Sequence, residues 1–363
     1  MNESRFLWLS LGLILFLGKA RASCLIPKDT MATNHAFLSF ENNVWDILHS
    51  DTVPVSRSIY LLCGGRAAPQ RFDCDVYGSF TPALPTSNCA KPFKPTVRED
   101  SNDPTCKTPP LAMYVVGYEY GGRFLEIYRS CYHKTQYAAQ FSIHKVYRSF
   151  DSASRHPLGF TTDRAMRVKE AAAFKNENIY NCFEADLGQG QSYMAQGSCL
   201  FNRGHLTAVA DFPFEQLQRS TYKLRNVVPQ YAAVNNGNWK AVESWVRRLL
   251  DRKNYDVVKV CTGALEVQQL QNTQSHQMTP IYLLNNKIPV PKWTYKIVSH
   301  LSGAKYVVIT YNDVYATRRP DPRSFCKIIG CDSDLSKDGV GFTFCCKPRE
   351  FITDNLVHLT GVC

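Results

Sequence analysis

The run Asn202-Arg203-Gly204-His205-Leu206 is followed thirty residues after the histidine by Asn235-Asn236-Gly237-Asn238-Trp239, and then by Glu243. A histidine, an arginine, a carboxamide and a carboxylate thus fall in one short stretch, the set of groups that can cut a phosphodiester with one metal ion. That hydrolysis needs an activated water, a cation against the developing negative charge, and help for the leaving oxygen. His205 suits the base role because imidazole titrates near neutral pH. Asn235 offers a neutral amide oxygen, and Mg²⁺ takes oxygen ligands while keeping several waters, so one protein ligand suffices. Glu243, eight residues on and about two helical turns away, can project to the same side and orient a metal-bound water. Arg203, two positions before His205, shares its face of a strand, and its planar donors fit a phosphate. Arg155, in Ser154-Arg155-His156-Pro157-Leu158-Gly159-Phe160, is a second candidate for phosphate.

Each residue also has an ordinary reading. A strand histidine can be structural, Asn235 or Asn236 can be a helix N-cap, Glu243 can pair with Arg247 one turn on, and Arg203 can be a surface cation. The conjunction in one unit favours the chemical reading.

The elements needed to hold these groups are legible nearby. Ser198 to His205 reads as a short strand and Tyr222 to Val228 as another, closed by Pro229. Trp239, Val242, Val246, Leu249 and Leu250 recur at three and four residues, predicting an amphipathic helix to about Asp251. Leu111 to Tyr118 and Phe124 to Tyr132 are β-rich runs joined through Tyr120-Gly121-Gly122-Arg123, a hairpin signal. Phe141 to Tyr147, Asp256 to Cys261, Trp293 to Val298 and Tyr306 to Tyr311 add further strands, and residues 163–178 are compatible with a helix and equally with an ordered loop. One strong helix among many strands predicts an α+β fold rather than a doubly wound one.

The prolines and polar residues of Pro82 to Pro110 mark a linker. Residues 23–110 then form a small β-rich, disulfide-stapled module with that linker, and residues 111–363 the domain that carries the motifs. Arg5, the apolar run Phe6 to Leu17 and Ala20-Arg21-Ala22 have the sections of a secretory signal over residues 1–22, too short for a comfortable membrane span. All fourteen cysteines follow Ala22, which predicts a secreted, extracellular protein with extensive disulfide pairing. Cys345 and Cys346 are expected to have different partners, because a bridge between neighbours strains the geometry. Zinc is the rival use of these thiols, but no CxxC pair or histidine cluster accompanies them. A net charge of +11 favours polyanionic partners without choosing between nucleic acid, sulfated sugars and anionic membranes.

Together these residues resemble the DNA/RNA non-specific endonuclease family of the ββα-metal type. The family's Asp-Arg-Gly-His pattern stands here as Asn202 to His205, its Asn-x-x-Pro-Gln strand end as Asn226 to Gln230, and its Asn-to-Glu helix motif as Asn235 to Glu243. The run Val234 to Lys240 and the tail Phe342-Thr343-Phe344-Cys345-Cys346 are similar to secreted arthropod nucleases, among them duplex-specific and double-stranded-RNA-degrading enzymes. The resemblance covers about residues 111–350. It implies a ββα-metal core on a mainly antiparallel sheet, with His205 as general base, Asn235 as direct ligand of Mg²⁺ or Mn²⁺, and Glu243 acting through a bound water. It further implies Arg203 and Arg155 on the phosphate, Asn226 helping to fix the histidine, 5′-phosphate products, and DNA and RNA as partners, duplexes in particular. Asn202 departs from the family's aspartate. The lost carboxylate removes a negative charge beside His205, which lowers an imidazole pKa or loosens local hydrogen bonds. Two other classes are compatible with parts of the sequence: an inactive secreted nucleic-acid-binding protein of the same fold, and a cysteine-rich binder of sulfated sugars.

Overall fold

The computed structural model describes residues 23–66, 68–154, 159–335 and 340–363. The expected signal at 1–22 and the candidate Arg155 lie outside the described residues.

The apolar, β-branched runs of the sequence pair into a nine-stranded antiparallel sheet. Its spatial order is Ile328–Ile329, Thr343–Cys346, Lys305–Tyr311, Pro291–Ser299, Val257–Val267, Ala138–Tyr147, Arg123–His133, Leu111–Tyr120 and Thr96–Asp100. The expected hairpin through Gly121-Gly122 is present, with Tyr120 opposite Arg123. Period-two alternation sends neighbouring residues to opposite faces. Val298 and Val308 meet Trp239, Val242, Val246 and Leu249 of the site helix. Ile297, Val307 and Ile309 instead meet Phe351 and Ile352 of the C-terminal helix Pro348–Asn355. Helices thus cover both sides of the sheet, an α+β arrangement.

The strand Thr96–Asp100 sits inside the stretch expected to be a linker, and pairs in register with Leu111–Tyr120. Proline-rich composition marked the bends on either side of it and hid the five pairing residues between them. The N-terminal residues form a second, five-stranded sheet, ordered Val44–Ile47, Ala36–Glu41, Ser58–Leu62, Gln70–Cys74 and Phe80–Thr81. Its core is continuous with Val116, Tyr118, Leu125 and Tyr128 of the large sheet and with Phe212, Phe214 and Leu217. Phe37 stacks on Phe214 with centroids 4.1 Å apart. The buried Asp51 carboxylate accepts from the backbone of Phe150 at 3.0 Å and Asp151 at 2.7 Å.

Twelve cysteines pair: Cys24–Cys74, Cys63–Cys89, Cys106–Cys131, Cys261–Cys363, Cys326–Cys346 and Cys331–Cys345. The adjacent Cys345 and Cys346 do take separate partners, and the pairing leaves zinc no cysteine cluster. Cys182 and Cys199 remain thiols, so the even count overstated the pairing by one bridge. Among the described residues the one grouping with metal-ligand proximity is His35 with Cys63 and Cys89, a histidine beside a disulfide.

Candidate active site

Two short strands carry the motif. Phe201–His205 pairs antiparallel with Val227–Tyr231, placing His205 opposite Val227, Gly204 opposite Val228 and Asn202 opposite Gln230. The second strand lies later than the expected Tyr222 to Val228: residues Leu224–Asn226 form a 3-10 turn and Pro229 sits within the strand. Proline is tolerated because this is a two-stranded ribbon, where one side of each strand has no ladder to complete. The ribbon is held down by Asn312, which is fully buried. Asn312 Oδ1 accepts from the backbone of Tyr231 at 3.0 Å, and Nδ2 donates to Pro291 O at 2.8 Å.

The helix that follows begins earlier than the periodicity implied. Ala232–Val234 is already helical, Asn235–Trp239 makes a wide turn broken by non-helical angles at Gly237, and the regular helix is Lys240–Lys253. Asn235 therefore has helical backbone angles and is not an N-cap. The kink also means that Asn235 and Glu243 are not two turns apart on one straight helix, as an unbroken 3.6-residue period assumes. The turn is tied to the C-terminal tail by Asn238, whose amide donates to Gly341 O. Asn254 ends the helix in the left-handed conformation, φ 54°, a geometry asparagine tolerates at a helix C-terminus.

Arg203 and His205 come together as their shared strand face requires, and what joins them is aromatic. The Phe160 ring lies 5.2 Å from the His205 ring and 5.2 Å from the Arg203 guanidinium. Tyr222 meets the imidazole edge-on at 5.0 Å, and Phe174 takes the guanidinium at 5.3 Å. Burial lowers the Arg203 pKa. Its Nε is buried with no hydrogen-bond partner among the described residues. A cation held between two rings with a spare desolvated donor is a strong seat for an anion.

Asn226 is fully buried beside the end of the histidine strand. Its side chain accepts from Thr207 N at 2.9 Å and donates to Thr207 O at 3.1 Å and Thr221 O at 3.0 Å. It closes the loop that follows the histidine strand. Arg247, the expected ordinary partner of Glu243, is ion-paired at 2.9 Å with Asp211.

That pair belongs to a buried charge cluster which the sequence reading missed. Asp211 Oδ2 lies 2.9 Å from His144 Nε2, both fully buried. Burial raises the Asp211 pKa, but the His144 hydrogen bond and the Arg247 charge outweigh it and hold the carboxyl at about 2. Burial lowers His144 more than Asp211 raises it. A neutral imidazole donating from Nε2 to a carboxylate satisfies both directions. Lys296, fully buried, donates to Thr262 Oγ1 at 2.7 Å and lies 5.2 Å from the Trp239 ring. Its sign in the sequence was a lysine in the middle of an apolar strand; Phe160 and Phe174 gave none beyond being aromatic.

The donor set suits a hard divalent cation. The Asn235 amide nitrogen leans on Asn236 Oδ1 at 3.4 Å, leaving its oxygen as the atom on offer, and Glu243 adds a carboxylate on the next stretch of helix. Amide and carboxylate oxygens are hard donors, unlike the thiolate and imidazole set typical of zinc.

Two strands feeding a helix, with histidine on the first strand, asparagine at the turn and glutamate beyond it, define a ββα-metal core. The chain belongs to the DNA/RNA non-specific endonuclease family, which it matches over residues 110–351, a family of nucleases dependent on a divalent metal. It is 29% identical over 255 residues to a salivary endonuclease of Lutzomyia longipalpis, covering 68% of this chain and 62% of that one. Salivary protein Tsal1 of Glossina morsitans morsitans is 28% identical over 200 residues, covering 51% and 49%. Human mitochondrial endonuclease G is 29% identical over 113 residues, covering 31% and 37%. The chain thus spans less than two thirds of the length of these relatives.

Proposed function

We propose that the protein is a secreted endonuclease that hydrolyses DNA and RNA, duplexes included, with one Mg²⁺ or Mn²⁺ and little sequence preference, leaving 5′-phosphate ends. The observation that carries this reading is Arg203: half-buried between Phe160 and Phe174 with an unmet Nε donor, two residues from His205 on the same strand face. His205 accepts the proton of the attacking water at an imidazole nitrogen, while Phe160 and Tyr222 fix the ring plane and exclude competing solvent. Arg203 binds the scissile phosphate and meets the charge that grows on it. Asn235 would hold the metal through its amide oxygen and Glu243 through water; the ion supplies Lewis-acid stabilisation of the phosphoryl and leaving oxygens. Six disulfides and the salivary relatives support secretion.

The test is incubation of purified protein with plasmid DNA and with long duplex RNA, with Mg²⁺ and with EDTA. Cutting is expected with Mg²⁺ alone, falling about 10²–10⁴-fold in His205→Ala. Arg203→Lys keeps the charge but loses the planar fork, and should also be slow, by about 10²-fold. Asn202 in place of an aspartate favours a second reading, a binding protein without activity. Intact substrates under every condition, with duplex binding retained, would establish that one instead.

A further inference from the structure

The exposed face of the site helix repeats basic and small residues at intervals of four: Lys240, Ser244, Arg248 and Arg252. Four-residue spacing keeps side chains on one face, advancing about 6 Å per step. The opposite face is committed to the core through Val242, Val246, Leu249 and Leu250. With Gly237, Ala241 and Asp334 the four line an open groove that begins at the kinked turn carrying Asn235 and runs about 18 Å along the helix. Arg248 and Arg252 are half exposed, and both reach the single carboxylate of Asp334, at 2.9 and 2.5 Å. The loop bearing Asp334 is fixed by the Cys331–Cys345 disulfide and by the Trp245 indole donating to Asp332 Oδ2 at 2.7 Å.

A basic helix face is most often only solvated, and three observations set this one apart. It is continuous with the turn that bears Asn235. One acidic group bridges two arginines and fails to neutralise three cations. Of the two acids on this helix, Asp251 lies toward Arg148 at 3.5 Å, and neither it nor Glu243 lines the groove.

We propose that the Lys240–Ser244–Arg248–Arg252 stripe is a rail for the phosphate backbone of one nucleic-acid strand leading away from the scissile bond, and that Asp334 is its built-in competitor. The phosphates occupy the guanidinium donors that Asp334 holds in the free protein, and the Ser244 hydroxyl offers a neutral donor beside the cut. The proposal rests on the nuclease reading of the adjacent site, but binding measured without cleavage tests it separately.

The experiment is anisotropy of a fluorescein-labelled DNA duplex long enough to cover the helix, in EDTA, titrated across KCl concentrations. Each phosphate contact contributes about 0.9 to the slope of log affinity against log salt. Arg248→Ala with Arg252→Ala should flatten the slope by about 1.8 and weaken binding, whereas Arg248→Lys with Arg252→Lys keeps it, with thermal melts confirming folding. Asp334→Asn should move the opposite way, tightening binding severalfold. An unchanged slope in the alanine pair, Asp334→Asn weakening binding, or no duplex binding by the parent would overturn the rail. A parent that binds with these slopes but never cuts would sink the nuclease reading and leave the rail standing; a cutting parent with unaltered slopes does the reverse.

Discussion

Gly204 is fixed by space and not by backbone freedom. A Cβ there would stand 2.6 Å from Gln230 Oε1 and 2.9 Å from Gln230 Cβ, and Gln230 is itself fully buried. Gly204→Ala must therefore push the two strands apart or turn the glutamine, at a cost of about 1–3 kcal/mol. Urea denaturation should show that loss, and activity should fall further because the displaced strand carries Arg203 and His205; an unchanged midpoint would refute the packing argument. At this scale the sequence was most readable where a simple period applies, since alternation alone put Arg203 and His205 on one face. It was silent on Phe160 and Phe174, whose places beside Arg203 are set by the folding of loops far from the motif. For Asn226 the motif gave no sign of its contacts with Thr207 and Thr221, which only the fold brings together.

Among the elements, the site helix is held at two heights: near its start by the Asn238 contact with the tail, and one turn beyond Glu243 by the Arg247–Asp211 pair. Asp211 lies six residues after His205, so this pair ties the histidine side of the site to the glutamate side. Asp211→Ala leaves the Arg247 guanidinium, 30% exposed, short of its anion and strips His144 of its acceptor. Breaking such a pair costs about 3 kcal/mol. Chemical denaturation should report that loss. If stability holds but activity drops, the pair serves only to set the separation of base and carboxylate. The strands with strong β-branched runs were legible to within a few residues, because nothing competes with their period. Residues 163–178, compatible with a helix or with an ordered loop, hold two short turns, Val168–Ala171 and Ala172–Phe174, before a proper helix at Asn176–Leu187. Alanine-rich composition raised helix propensity in the first part, but the anchor for a longer helix is the buried row Ile179, Phe183 and Leu187.

For the whole molecule, acid should be destabilising well above the carboxylate range. Burial lowers the pKa of His35 and of His144, and brings His49 to about 4, against a smaller opposing pull from Asp46. The unfolded chain then binds more protons than the native one below about pH 6.5, so stability is fully present above that value and is lost as pH falls toward the folded pKa values. Asp211, held at about 2, extends the loss in the same direction below about pH 3.8. Melting temperature should decline steadily from pH 7 to pH 4, and His49→Asn should flatten the decline; a flat profile over that range would contradict the buried-histidine account. The joining of the two sheets has a consequence for proteolysis. None of the six disulfides crosses from residues 24–89 to the rest, while Phe37 on Phe214 and Asp51 on the backbone of Phe150 and Asp151 span that divide without covalent help. A protease that nicks the chain between Cys89 and Cys106 would yield two fragments that migrate as one species on a native gel and part on a denaturing gel even without reductant.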